Sequence, residues 1–161
     1  MTFSKQLFSF ILLSTLTIGF LSCDSDDPFE VDYSSVPEPF DISSAERIET
    51  ETGLVYYNVE AGSGEFEVQR RDQVSVYYTG RINNTGEIFD SSYRNGNLTP
   101  TNFSSLENLI DGFREGLIGM KEGGKKVLII PPELGYGNSP SSRLSDDTLR
   151  FDVELVEIVS N

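Results

Sequence analysis

The chain has 161 residues, with 26 Asp and Glu against 12 Lys and Arg, a formal charge of −14, no histidine and one cysteine. This balance excludes nucleic acid as a partner, because phosphate binding needs clustered cations, and the lysines that do cluster, Lys121, Lys125 and Lys126, have Glu122 among them and read as a solvated turn. Without histidine there is no Ser-His or Cys-His nucleophilic site and no histidine metal centre, and a single cysteine supplies neither an intrachain disulfide nor a thiolate zinc site.

In chain order, Lys5 precedes Leu7 to Phe20, an uncharged and mostly apolar run that ends at Leu21-Ser22-Cys23. A membrane-spanning helix needs about 18 or more apolar residues. This run is shorter and is interrupted by Ser9, Ser14 and Thr15, so residues 1–22 read as an export leader. The leader resembles bacterial lipoprotein signals, which place the acylated residue where Cys23 stands, although Phe20 occupies a position where that pattern usually has Leu. The resemblance implies lipidation at Cys23 and a domain held outside the cytoplasm on a bacterial membrane, at the outer membrane or cell surface rather than the inner membrane. Each buried methylene of such an anchor contributes about 0.8 kcal/mol. The alternative is that Cys23 is a small apolar residue of a leader that is removed.

From Cys23 to Thr52 the composition turns acidic. Asp24, Asp26, Asp27, Glu30, Asp32, Glu38, Asp41, Glu46, Glu49 and Glu51 face a single Arg47, with Pro28, Pro37 and Pro39 among them. Like charges repel and prolines block regular pairing, so residues 23–52 are expected to form a flexible tether. Ser25 to Glu30 reads as plain solvated chain or as the acidic signal that sends some lipoproteins to the outer surface. Residues 53–161 remain for one domain, a normal size for a single core.

Within that domain Leu54 to Val59 reads as a first strand. Val74, Val76 and Tyr78 alternate with Gln73, Ser75 and Tyr77, the period of a half-buried strand. Asn83-Asn84-Thr85-Gly86 supplies a turn, where Gly86 takes a positive φ at little cost. Ile110, Phe113, Leu117 and Met120 recur at helical spacing, and Gly123-Gly124 ends the pattern. Val127 to Ile130, apolar on both faces, reads as a central strand, and Leu149, Phe151, Val153 and Leu155 alternate with polar residues in a last one. A single helix across a curved antiparallel sheet buries both apolar faces with little material, giving an α+β domain.

Other chemistry finds little footing. Lys121 to Lys126 lacks the Walker spacing, and Gly62-Ser63-Gly64 neither matches GxGxxG nor opens a helix. The neighbouring Asp146 and Asp147 lie on a polar stretch and read as surface. No metal and no cofactor is expected.

Four segments carry a specific pattern: Val76-Tyr77-Tyr78-Thr79-Gly80, Ile88-Phe89-Asp90-Ser91-Ser92, Leu134-Gly135-Tyr136-Gly137, and Leu149 to Leu155. In this order they resemble the FKBP family of peptidyl-prolyl cis-trans isomerases. The resemblance implies a curved antiparallel sheet of about five strands wrapped on one short helix, and it implies roles residue by residue. Tyr78 lines the pocket and supports the carboxylate of Asp90. Phe89, Phe113 and Phe151 form apolar walls and floor, Leu109 and Ile110 open the helix with the Ile110 N–H free for a substrate carbonyl, and the Tyr136 hydroxyl reaches substrate.

Three departures stand beside these matches. Phe113 replaces the tryptophan usual at the floor, and residues 137–148 lack the usual Ile-Pro-Pro overhang, leaving Leu144 as the apolar rim residue. Residues 95–105 do not align cleanly, so Leu98 or Phe103 stands in for the aromatic side chain before the helix.

The implied reaction needs no nucleophile, metal or proton relay, only an apolar pocket with a few polar handles. The implied partners are proline-containing unfolded or folding polypeptides, macrolide inhibitors, and a lipid bilayer through Cys23; no dimerisation arm is expected, and a monomer is. A non-catalytic module holding proline-containing or macrolide-like ligands in the same pocket, or a chaperone, is the alternative.

Overall fold

The computed structural model describes residues 30–159, so the leader and the lipidation expected at Cys23 lie outside the described residues. Seven strands and one α-helix follow in order: β1 (Arg47–Glu49), β2 (Val55–Ala61), β3 (Gln73–Ile82), β4 (Ile88–Ser91), β5 (Thr101–Phe103), α1 (Asp111–Leu117), β6 (Gly124–Ile130) and β7 (Leu149–Val159). They form one antiparallel sheet in the order β1-β2-β6-β7-β3-β4, with β5 also paired to β3. The expected five strands become seven because β1 and β5 are three residues each, too short for alternation to register in sequence.

β3 and β7 pair along their whole length, from Gln73 opposite Val159 to Ile82 opposite Leu149. This long pair is the spine of the sheet. At its far end Gly86 takes a φ of +76° and its N–H donates to the Ile82 carbonyl, closing the turn toward β4. The inward face of the sheet contributes Val74, Val76, Leu128, Val153 and Leu155, all essentially inaccessible to solvent.

Helix α1 presses Phe113 and Leu117 into that face. It is shorter than the apolar spacing predicts. Ile110 is the residue just before its first turn, and the chain leaves the helix after Leu117, reversing through Gly119 at a φ of +77° rather than at Gly123-Gly124. Gly112 lets the helix lie close on the sheet, since a Cβ there would sit 2.6 Å from Cγ2 of Ile130.

Only part of the lysine cluster is a turn: Lys121 opens a turn closed by the Gly124 N–H on its carbonyl, while the other two lysines lie in a strand. Lys125 and Lys126 begin β6, where Lys125 pairs with Glu60 at 2.8 Å and Lys126 donates to the Gly116 carbonyl at 3.0 Å beneath the Tyr56 ring.

The tether expected to run to Thr52 is a second correction: from Val31 onward the chain packs with the domain. Residues 32–41 form a strap over the outer face of β3, and β1 pairs with β2. The strap is held by its main chain. Arg81 donates to the Pro37 carbonyl at 3.0 Å, Arg150 donates to the Phe40 carbonyl at 2.8 Å, and the Phe40 N–H donates to Asp152 at 2.9 Å. Arg81 and Asp152, each 6% exposed, form an ion pair beneath it. Asp32, Glu38 and Asp41 stay exposed while the main chain docks, which is why composition and charge alone suggested a free spacer. Among the described residues no helix is long and apolar enough to cross a membrane.

Candidate active site

Between α1 and the sheet lies a cavity of about 190 Å³ lined by Tyr78, Phe89, Asp90, Phe103, Asn108, Leu109, Ile110, Phe113, Tyr136 and Phe151. Larger clefts of about 470 and 490 Å³ lie elsewhere, but charged surface residues such as Glu60, Glu65, Glu67 and Lys121 line them. Chemistry rather than size therefore marks the aromatic cavity.

Four strands, β3, β4, β5 and β7, contribute to its walls. Tyr78 points inward from β3, and two residues on, on the same face, stands Gly80. A Cβ at Gly80 would come within 2.6 Å of Phe89 Cζ and 2.8 Å of Phe151 Cε1. The bare glycine thus leaves room for Phe89 and Phe151 to meet edge to face, with centroids 5.5 Å apart.

β4 carries an irregularity that matters here. Gly80 lies opposite Asp90 and Arg81 opposite Ile88, so Phe89 has no counterpart on β3. Adjacent strand residues normally face opposite ways. The bulge turns both Phe89 and Asp90 into the cavity, as bulges beside binding sites commonly do.

The floor is Phe113, whose ring centre lies 4.8 Å from that of Phe151, 5.8 Å from that of Tyr78 and 6.0 Å from that of Phe103. At the rim the Tyr78 hydroxyl donates to Asp90 Oδ2 at 2.7 Å. Burial, and then the bond to Asp90, raises the Tyr78 phenol well above its ordinary range, so it is a neutral donor at any physiological pH. The other oxygen of Asp90 accepts from the Ser91 N–H at 2.9 Å and from Arg94 at 3.3 Å. The carboxylate is thereby fixed in direction at a half-exposed position.

Two donors face the cavity uncommitted among the described residues. The Tyr136 hydroxyl has no protein partner, and burial, then the charge of Asp90, raises its phenol and keeps it protonated. The Ile110 N–H precedes the first turn of α1, where backbone donors have no partner within the helix.

The structure brings eight of the nine expected pocket residues together. Leu144 is the exception. Residues 136–147 wind through successive tight turns, with Ser139, Ser142, Ser145 and Asp147 N–H groups each bonding to the carbonyl three residues back, and this tucks Leu144 into the core at 7% exposure. Of the two stand-ins before the helix, Phe103 lines the cavity while Leu98 is 72% exposed. Asn108 also lines it, and nothing in its sequence surroundings pointed there.

The family model described as FKBP-type peptidyl-prolyl cis-trans isomerase matches residues 64–156. This chain belongs to that family. Among relatives, a probable FKBP-type peptidyl-prolyl cis-trans isomerase of Haemophilus influenzae is 41% identical over 111 residues, covering 68% of this chain and 44% of that protein. FkpA of Escherichia coli K12, also named as an FKBP-type isomerase, is 45% identical over 108 residues, covering 66% of this chain and 38% of the relative. The crystal structure of FkpA from Escherichia coli superposes with a TM-score of 0.64 at 41% identity, covering 73% of this chain and 54% of that one. The chain thus spans less than half the length of these curated FKBP relatives. Residues 31–63, including the strap, precede the matched FKBP segment.

Proposed function

We propose that the domain catalyses rotation about Xaa-Pro peptide bonds in exported polypeptides. The observation that carries this reading is the aromatic cavity with its polar groups gathered at one rim: the Tyr78–Asp90 pair, the Tyr136 hydroxyl and the Ile110 N–H. Resonance gives the peptide bond a rotation barrier of about 18–20 kcal/mol. The twisted transition state has lost much of that resonance and is less polar at the C–N bond, so a dry aromatic surface disfavours it less than water does. In this reading the proline ring rests on Phe113 between Phe89, Phe151 and Tyr78, with Leu109 alongside. The Ile110 N–H and the Tyr136 hydroxyl each hold a substrate carbonyl, and Asp90, oriented by Tyr78, faces the amide as it turns. Lowering the barrier by about 5 kcal/mol gives on the order of 10⁴-fold.

The leader and Cys23 support an extracytoplasmic, lipid-anchored location facing the outer membrane or cell surface, with the domain acting as a monomer. Mass analysis of the membrane-bound protein tests the anchor: a diacylated or triacylated Cys23 is expected, and an unmodified N-terminus rules it out.

A second reading, a module that holds proline segments or macrolide rings without turnover, draws on one feature. With Leu144 turned inward, the 137–148 loop puts no apolar side chain over the cavity. A protease-coupled assay over a series of Xaa-Pro peptides separates the two. Isomerisation in proportion to enzyme is expected, with kcat/KM reduced about 10-fold to 100-fold in Phe89→Ala and Asp90→Ala. Saturable binding with no rate above the blank would leave only the module.

A further inference from the structure

We propose that the strap preceding the family segment is a working part of the isomerase site, with Tyr33 as the residue that positions the pocket wall formed by Phe89 and Asp90; this rests on the isomerase reading above. The hydroxyl of Tyr33 donates to the carbonyl of Phe89 at 3.0 Å, across 56 residues of sequence. Phe89 is the bulge residue of β4, the one without a counterpart on β3. Tyr33 therefore ties down the wall where the ladder holds it least.

Neighbouring contacts aim Tyr33 at that point. The Asp32 side chain accepts from the Ser34 N–H at 2.7 Å, bending the chain around Tyr33. Asp32 and Asn95 exchange two bonds, Asp32 N–H to Asn95 Oδ1 at 2.9 Å and Asn95 N–H to the Asp32 carbonyl at 2.7 Å. Asn95 is held at a φ of +56°, the only non-glycine residue with positive φ among the described residues, and it adjoins Arg94, which pairs with Asp90. Burial, and then the charge of Asp90, raises the Tyr33 phenol, which places it within electrostatic reach of the pocket carboxylate.

The other end of the strap cannot drift. Pro37 and Phe40 are locked to Arg81, Arg150 and Asp152 on β3 and β7. Anchored on the spine of the sheet, the strap reaches the main chain of β4 through Tyr33. β4 is four residues long and sits at the sheet edge, the kind of element that opens locally without such a brace. Catalysis by positioning requires a wall that stays put.

The test uses the full chain, comparing wild type with Tyr33→Phe, Tyr33→Ala and a control, Ile48→Ala, which loosens β1 at the far edge of the sheet. Three readouts are taken: the melting temperature and, well below it, kcat/KM on an Xaa-Pro peptide and amide exchange at Ser92, whose N–H bonds to the Tyr78 carbonyl just past the β3–β4 pairing. Tyr33→Phe is expected to lower kcat/KM about fivefold, the factor one neutral hydrogen bond carries, with a faster Ser92 amide and little change in melting temperature. Ile48→Ala is expected to lower the melting temperature and leave kcat/KM unchanged. If wild type isomerises and Tyr33→Phe stays within twofold of it, or if Ile48→Ala loses as much activity, the positioning role is overturned. If wild type does not isomerise at all, the isomerase reading falls, and the Ser92 exchange rate alone decides whether Tyr33 braces β4.

Discussion

Gly80 decides the shape of the pocket by having no side chain. Every other inward position of β3 carries one, and the space left at Gly80 is where the Phe89 and Phe151 rings meet. In Gly80→Ala the new methyl must displace one ring, because both are side chains and the strand pairing on either side is fixed. Overpacking of this kind costs about 1–3 kcal/mol, offset in part by the better strand propensity of alanine. The expected result is a modest fall in melting temperature with a fall of about tenfold or more in kcat/KM. A large fall in melting temperature with kcat/KM of the folded protein unchanged would mean that Gly80 serves folding rather than the pocket. The Tyr78–Asp90 pair was legible because its two halves sit in short motifs with fixed spacing. Asn108 was not, since one polar residue before the helix gives no periodic signal, and Leu144 misled because turns within a polar loop, not its composition, decide where its lone leucine points.

The elements follow the same division. β3 and β7 alternate over ten residues or so and could be read directly, whereas β1 and β5 could not. Phe103 sits on one of those short strands, which explains why the sequence left it level with Leu98. The bulge in β4 leaves no mark in sequence, yet it is what turns Phe89 and Asp90 into one cavity. Where α1 meets β6, burial brings the Lys126 amine down to about 8, with the Gly116 carbonyl and the Tyr56 ring as its partners. The folded state holds this proton less firmly than the unfolded chain, whose lysine titrates near 10.5. The stability from this group is therefore complete above pH 10.5 and is lost as pH falls toward 8. Wild type should gain about 1–2 kcal/mol relative to Lys126→Met between pH 7 and pH 10, measured by denaturant unfolding at each pH. A constant difference across that range would show that Lys126 titrates normally.

At the scale of the whole molecule, the chain reads as a short family domain to which a preceding strap has been fastened. Residues 64–156 carry the family pattern, while the strap adds contacts through the buried Arg81–Asp152–Arg150 cluster. Composition could not reveal this docking, because it runs through the main chain of Pro37 and Phe40 to arginines 44 and 110 residues away. Removing one member of such a buried cluster leaves another charge unpaired, so its contribution is to geometry as much as to stability. The proposed activity, rotation about an Xaa-Pro bond, is assigned to the aromatic cavity and needs no nucleophile. Two-dimensional exchange NMR on a short Xaa-Pro peptide with a catalytic amount of the full chain reads this activity at the bond itself. Cross-peaks between cis and trans proline resonances should appear at mixing times where the peptide alone shows none, and should fade with Asp90→Ala. Resonances that shift on titration but never exchange would mean that the cavity binds proline segments without turning them.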